Sequence, residues 1–338
     1  MYKHLAIVGA TGAVGKIVLQ QLEAQEIPFE SLTFLASKRS AGQKIEFKGK
    51  EHTVQELVPE VFDNLDLAIA STPDEVAAEF VPWARERNCL VVDESGYWRM
   101  DPAVPLVVPE VNPEAILEHQ GVIASPNCST TQMVVAMKPL HEAAEIKRVI
   151  VATYQSTSGA GVAGQDELQE GSQAALEGKD HPPSAFAHPI AFNLIPQIGS
   201  EKYQGFTSEE MKMVYETHKI FGDDTIRISP TCVRAPVTNC HSESIVVETK
   251  KKLSADEARK LFEQAEGITV CDNLSEGEYP MPLDCDGKEG VFVGRIREDL
   301  AFENGIAFWC VSDNLRKGAA SNAVQIAKQL ISQQVKLS

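Results

Sequence analysis

The sequence predicts an α/β protein: a doubly wound parallel sheet comes first, then an α+β domain built on a mixed sheet. Three observations carry this expectation. Up to about residue 147, short apolar runs alternate with helix-length amphipathic stretches, the pattern of βα units feeding a parallel sheet through right-handed crossovers. Beyond that point Arg148–Gln155 and Ser242–Lys250 read as longer, alternating strands, as in antiparallel or mixed sheets. A last helical stretch, about Gly318 to Gln334, is expected to return and cover the first domain. At 338 residues the chain has length for two cores. The division expected is 1–128 completed by 318–338, and 129–317.

Taken in order, Leu5–Val8 is a buried-strand run. It leads at once into Gly9-Ala10-Thr11-Gly12-Ala13-Val14-Gly15 and a helix to about Gln25. Strand, glycine turn and helix form the context of a Rossmann-type dinucleotide site, where the pyrophosphate rests on the helix N-terminus. The next strand, Leu32–Ala36, ends in Ser37-Lys38-Arg39-Ser40. NAD sites place a carboxylate here for the ribose 2′-hydroxyl. Two cations and two hydroxyls suit a 2′-phosphate instead, so the expected cofactor is NADP.

Further units follow: strand Leu65–Ala70, helix Pro73 to about Arg87, strand Cys89–Asp93, the extended run Pro105–Pro109, and strand Gly121–Ala124. In the second half come a Gly/Ser loop (Ser156–Gly164), a helix near Asp166–Glu177 and an irregular stretch over 178–206. That stretch is too long for a plain loop and is expected to pack against something, such as another subunit. Ala255–Gln264 reads as helix, and Val291–Arg297 and Ile306–Ser312 as strands.

Composition narrows the function. The formal net charge is −17 with no basic stripe, which argues against nucleic acid as a partner. An anionic substrate therefore needs its own local arginines and lysines. The seven cysteines are scattered without a C-x-x-C, so no metal site is expected. No apolar run approaches a membrane span, no signal peptide is read, and the expected setting is a reducing cytoplasm.

The chemistry centres on Ser125-Pro126-Asn127-Cys128-Ser129-Thr130-Thr131. Cys128 falls where a strand turns into a helix, with Met133, Val134, Met137 and Leu140 on one face. A helix N-terminus favours the thiolate, the nucleophilic form. A cysteine nucleophile needs a base, and His241, preceded by Arg234 seven residues earlier, is the strongest candidate. Cys240 adjoins it, but strand alternation is expected to point that thiol to the opposite face.

Six segments occur in order: the glycine turn, Val107-Val108-Pro109-Glu110-Val111-Asn112, the Cys128 stretch, Gln155-Ser156-Thr157-Ser158-Gly159-Ala160-Gly161, Arg234 with His241, and Ser312-Asp313-Asn314-Leu315-Arg316-Lys317-Gly318-Ala319-Ala320. Together, and nearly end to end, they resemble the aspartate-semialdehyde dehydrogenase family. The resemblance implies that Cys128 displaces phosphate from aspartyl phosphate. The resulting thioester is reduced by NADPH to aspartate semialdehyde, a step toward lysine, threonine, methionine and isoleucine. It implies His241 as acid/base, Gln155 as the orienting amide, Asn127 and the cations Arg99 and Lys212 for phosphate, Arg234 for the carboxylate and Glu209 for the amino group. Cofactor contacts implied are Gly9, Thr11, Gly12, Ala13, Val14, Ser37, Arg39, Ser40, Ser158, Gly159, Asn314 and Gln325. A homodimer or homotetramer is implied as well.

Glu209 and Lys212 share a helix face. Thr207 and Glu210 fit a capping box, which leaves Glu209 for substrate. Two turns depart from the usual family pattern, Ser71-Thr72-Pro73-Asp74 and Asp93-Glu94-Ser95-Gly96; both lie at strand ends, and carboxylates there would alter cofactor contacts. Related acyl-phosphate reductases are the near alternatives. Glyceraldehyde-phosphate dehydrogenases typically carry Ser-Cys-Thr-Thr-Asn rather than Asn-Cys-Ser-Thr-Thr, and the Arg99/Lys212 pair argues against a CoA thioester. A non-catalytic paralogue would have no need of Cys128, Gln155, Arg234 and His241 together.

Overall fold

A computed structural model describes residues 2–333. The chain divides into two compact units, residues up to Asn127 with those from Ala319 onward, and Cys128–Gly318. In this division Cys128 and Gly318 both belong to the second unit.

The first unit contains β1 (His4–Val8), α1 (Ala13–Ala24), β2 (Ser31–Ala36), the hairpin strands β3 (Lys44–Phe47) and β4 (Lys50–Thr53), β5 (Gln55–Glu56), β6 (Leu67–Ala70), α2 (Asp74–Glu86), β7 (Leu90–Asp93) and β8 (Val122–Ala124). Six of the strands form one parallel sheet in the order β5-β2-β1-β6-β7-β8. This is the doubly wound order whose switch point lies between β1 and β6. β6, β7 and β8 are buried at every position, as strands covered on both faces must be. The helix Ser321–Gln333 packs on α1 and sends Val324, Ile326 and Leu330 into the same core as Leu5, Ile7 and Ile69. Its expected end at Gln334 lies outside the described residues. The β3–β4 hairpin has no counterpart among the expected elements.

The second unit contains α3 (Cys128–Ala144), β9 (Ile146–Gln155), α4 (Val162–Leu176), the short ribbon β10 (Glu201–Tyr203) and β11 (Phe206–Thr207), α5 (Ser208–Phe221), β12 (Arg227–Arg234), β13 (His241–Thr249), α6 (Ala255–Gln264), β14 (Ile268–Val270), α7 (Pro282–Cys285), β15 (Val291–Glu298) and β16 (Gly305–Ser312). Its mixed sheet runs β12-β9-β13-β16-β15-β14. β9 pairs parallel with β12 and antiparallel with β13.

Two details differ from expectation. α3 is buried at every position from Ser129 to Met137, not along one face, because the sheet, α5 and α6 all pack against it. α4 starts at Val162, cutting into the expected loop. On β9, Val149, Val151, Thr153 and Gln155 are buried while Ile150 and Tyr154 are exposed, so one sheet face is covered by helices and the other is open.

Candidate active site

Strand register assembles the site. Arg234 ends β12, Gln155 ends β9 and His241 begins β13. Arg234 pairs with Gln155, and Ser242 pairs with Tyr154 one step along. The three side chains therefore sit in one row at the ends of three neighbouring strands, all buried.

Gln155 is held at both ends of its amide. Thr153 Oγ1 donates to Gln155 Oε1 at 3.1 Å, and Gln155 Nε2 donates to Glu209 Oε1 at 3.1 Å. Glu209, on the first turn of α5, also accepts from Lys212 Nζ at 3.2 Å. Glu209 is buried and Lys212 is 41% exposed, so this is a buried carboxylate with a part-exposed counter-cation rather than a surface pair. The expected capping box is present: Thr207 Oγ1 accepts from the Glu210 N–H, and Glu210 Oε2 accepts from the Thr207 N–H. Glu210 Oε1 also accepts from the Cys232 N–H at 3.0 Å, pinning α5 to β12.

His241 meets a donor and an acceptor from one residue. The Ser156 N–H and the Ser156 Oγ each lie 3.1 Å from His241 Nδ1. Gln155 Nε2 is 3.5 Å from His241 Nε2. Burial and the nearby Arg234 guanidinium push the His241 pKa down to about 3, so the ring is neutral near pH 7. Arg234 Nη1 donates to Ser156 O at 2.6 Å. Cys128 and Glu209 are both close enough to favour the charged guanidinium against its burial. A Cβ on Gly159 would stand 2.8 Å from Arg234 Nη1 and 3.2 Å from His241 Cε1; this close approach accounts for glycine there without reference to cofactor.

Cys128 is the first residue of α3, at the positive end of the helix dipole. A Cβ on Gly318 would stand 2.8 Å from Cys128 Cβ, so the C-terminal motif presses directly on the cysteine. Asn314, expected at the cofactor, is a buried node. Its Oδ1 accepts from Ser156 Oγ and the Cys240 N–H, and its Nδ2 donates to Ser158 Oγ. Cys240 does point away from His241, but not through strand alternation. It precedes β13 with φ +69° and packs with Cys285 and Val311. Among the described residues the cysteines form no disulfide.

In the first unit, Gly9, Thr11 and Gly12 form the turn after β1, and Ala13 and Val14 open α1. Gly9 has φ +85°, and a Cβ there would collide with Ser71 O at 2.2 Å; the glycine turn thus abuts the β6 turn at the switch point. No side chain caps α1, which leaves its first N–H groups for an anion. Ser37 and Arg39 are exposed and Ser40 half-buried after β2, where the Ser40 N–H donates to Ser37 O. The two departing turns are complementary. The Gly96 N–H donates to Asp74 Oδ1 at 2.7 Å, and the Glu94 N–H donates to Ala70 O at 2.9 Å, beside the other turn. Arg99 is buried, donating to Ser125 O at 2.9 Å and Glu94 O at 2.7 Å, two residues from Asn127. Gln325 Nε2 donates to Glu110 Oε1 at 3.2 Å.

Two family models match: the semialdehyde dehydrogenase NAD-binding domain over residues 4–119 and the semialdehyde dehydrogenase dimerisation domain over residues 137–317. The aspartate-semialdehyde dehydrogenase of Aquifex aeolicus is 50% identical over 332 residues, covering 97% of this chain and 98% of its own. That of Bacillus subtilis is 46% identical, with 97% of each covered. This chain belongs to the aspartate-semialdehyde dehydrogenase family. The structure of aspartate semialdehyde dehydrogenase II from Vibrio cholerae, complexed with ASA, superposes with TM-score 0.95 at 44% identity over 98% of this chain and 99% of that one. A structure from Candida albicans with NADP superposes with TM-score 0.78 at 26% identity over 99% of this chain and 100% of that one.

Within this aspartate-semialdehyde dehydrogenase fold, several motif residues are structural. Asn112 closes the Val-Val-Pro-Glu-Val-Asn segment, donating to Leu106 O and accepting from the Val108 N–H. Asn322 Nδ2 donates to Val107 O and Ser125 Oγ, tying the last helix to that segment and to the residues before Cys128. Sequence reasoning missed Ser156, Thr153 and Asn322. Ser156 lies within the segment Gln155–Gly161, next to Gln155, so local sequence pointed to it. Asn322 was not, because its partners are about 200 residues away in sequence.

Proposed function

We propose that the chain catalyses NADP-dependent reductive dephosphorylation of aspartyl phosphate to aspartate semialdehyde through a thioester on Cys128. The carrying observation is the row Arg234–Gln155–His241 in the unit whose first residue is Cys128. It combines an anion anchor close to that thiol, an oriented amide and a titratable ring.

Ser156 lets His241 serve as base and as acid. With the proton on Nδ1, donated to Ser156 Oγ, the Nε2 lone pair is open to the Cys128 thiol proton. Once Nε2 has taken that proton the ring is an imidazolium, and its Nε2–H donates to the oxyanion that forms at the former carbonyl. Cys128 attacks the acyl carbon and phosphate leaves, its charge met by Arg99, Lys212 and Asn127. Arg234 takes the substrate carboxylate, since a planar fork matches it. Glu209 takes the ammonium group in place of part of its contact with Lys212.

The open N-terminus of α1 and the glycine turn at the switch point fit a pyrophosphate. Ser37, Arg39 and Ser40, with no carboxylate among them, suit a 2′-phosphate, in line with the NADP named for the Candida relative. When bound, that cofactor supplies the hydride. Ser158 and Asn314 shape the wall behind His241 on this reading, and Gln325 and Glu110 hold the last helix. The open sheet face, with Ile150 and Tyr154 exposed, supports a homodimer, and a cytoplasmic location follows from the biosynthetic role.

The deciding assay is phosphate-dependent reduction of NADP⁺ by L-aspartate semialdehyde, with and without Cys128→Ala. Activity in the wild type that vanishes in the variant is expected; activity that survives the substitution rejects the nucleophile. Comparable kcat/KM with NAD⁺ would reject the preference for NADP.

A further inference from the structure

The irregular segment between α4 and β10 is held by a carboxylate rather than by regular structure. Glu167, buried on α4, accepts through Oε2 the Ser184 N–H at 2.7 Å, the Ser184 hydroxyl at 3.2 Å and the Ala185 N–H. Burial alone would raise the Glu167 pKa, but these N–H donors hold it below the usual range, so the clamp is a carboxylate at neutral pH. The next residue, Phe186, packs on α4 so tightly that a Cβ on Gly164 would stand 3.1 Å from its ring. Its ring centroid lies 5.7 Å from Arg234 Cζ. Further along, Ile195 and Arg234 exchange both backbone hydrogen bonds, at 3.0 and 2.9 Å. The segment is thus fastened at two points around one arginine.

Between these points lies a cavity of about 260 Å³ whose lining includes Phe186, Ile195, Ile198 and Ala160, with Arg234 as its only charged side chain. The guanidinium is buried, and among the described residues its side chain has one acceptor, Ser156 O. Its Nε and Nη2 therefore keep donors for a ligand, while the aromatic ring excludes water from the cation and limits how the fork can turn.

We infer that Phe186, positioned by the Glu167 carboxylate, is a specificity-determining residue that sets the Arg234 fork for the carboxylate of a short acyl substrate. The inference rests on Arg234 being the carboxylate anchor. A group that only positions the anchor acts on ground-state and transition-state binding alike, so it changes KM and leaves kcat nearly intact.

The test compares Phe186→Leu, Phe186→Tyr, Glu167→Gln and Arg234→Gln in the phosphate-dependent oxidation of L-aspartate semialdehyde, with melting temperatures alongside. Phe186→Leu keeps apolar bulk but loses the ring face; it is expected to raise the aldehyde KM about tenfold with kcat within about twofold. Phe186→Tyr keeps the face and is expected to match the wild type. Glu167→Gln is expected to resemble Phe186→Leu; if it does not fold, the Phe186 pair decides. An unchanged KM in folded Phe186→Leu, or an equal rise in Phe186→Tyr, overturns the inference. Arg234→Gln separates the two claims: if it raises KM while Phe186→Leu does not, only the Phe186 role falls. If Arg234→Gln leaves KM unchanged, the anchor itself falls.

Discussion

His241 is fully buried, and the Arg234 guanidinium close by disfavours a second positive charge on the ring. A carboxylate arriving at Arg234 offsets that charge, so substrate binding should move the His241 pKa up from about 3 toward the range where acid–base work is effective. NMR titration of the ring with and without a bound dicarboxylate would show the rise; an unchanged pKa would separate the two residues. Ser156 has its own signature. Ser156→Ala leaves Nδ1 only the backbone donor and so favours the proton on Nε2. Acylation should slow roughly tenfold, less than the ~10²–10⁴ of a whole acid–base group, with the aldehyde KM unchanged in steady-state kinetics. The thiols give a third check. Burial raises the pKa of Cys89, Cys232, Cys240, Cys285 and Cys310. Alkylation followed by mass spectrometry should therefore find Cys128 modified first.

At the scale of elements, α5 shows how a cap becomes part of a site. The capping box seats its N-terminus, and Glu210 adds a bond to the Cys232 N–H of β12, which places Glu209 beside Gln155. Thr207→Ala removes one cap acceptor and should cost about 1 kcal/mol. Glu210→Ala should cost more, since it leaves the Thr207 and Cys232 N–H groups without acceptors. Urea unfolding would rank the two. α6 carries the same box, Ser254 with Glu257. The first was read from the sequence as Thr-x-x-Glu, because a cap is a contact within four residues; the second was not read. The β3–β4 hairpin and β12 were not legible, since their identity rests on partners that local pattern does not name.

At the scale of the whole molecule, buried carboxyls set the response to pH. Burial pushes Glu94 up to about 8 and Asp93 up to about 6, and raises Glu243 as well. Each holds a proton in the folded state that the unfolded chain releases above about pH 4–4.5. Stability therefore falls as pH rises through that window, up to about pH 8. His241 acts in the opposite sense. Its folded pKa is lowered, so its contribution is lost as pH falls from about 6.5 toward 3. Above about pH 6.5 only the carboxyl effect remains, and calorimetry should show Tm falling toward pH 8. Glu94→Gln should flatten that fall; an equal slope in the variant would assign it elsewhere. The open sheet face makes a separate prediction. Tyr154→Lys should shift sedimentation toward the monomer if that face joins two copies.

The sequence by itself determined the strand–glycine–helix entry, the alternation of βα units, the cysteine at a helix start and the change to longer strands near residue 147. These are local patterns, set by periodicity and by the backbone freedom of glycine. The resemblance across six segments named the residues of the site. Only the tertiary structure decided which side chains meet. Asn314 proved to be a hydrogen-bond node, Gly159 a space for Arg234 and His241, and Asp74 a partner of the Gly96 turn. It also made one row of Arg234, Gln155 and His241, which lie as much as 86 residues apart. The physical reason is register: a shift of one residue in β9 would turn Gln155, and one in β13 would turn His241, to the other face, and register is set by the packing of the whole sheet.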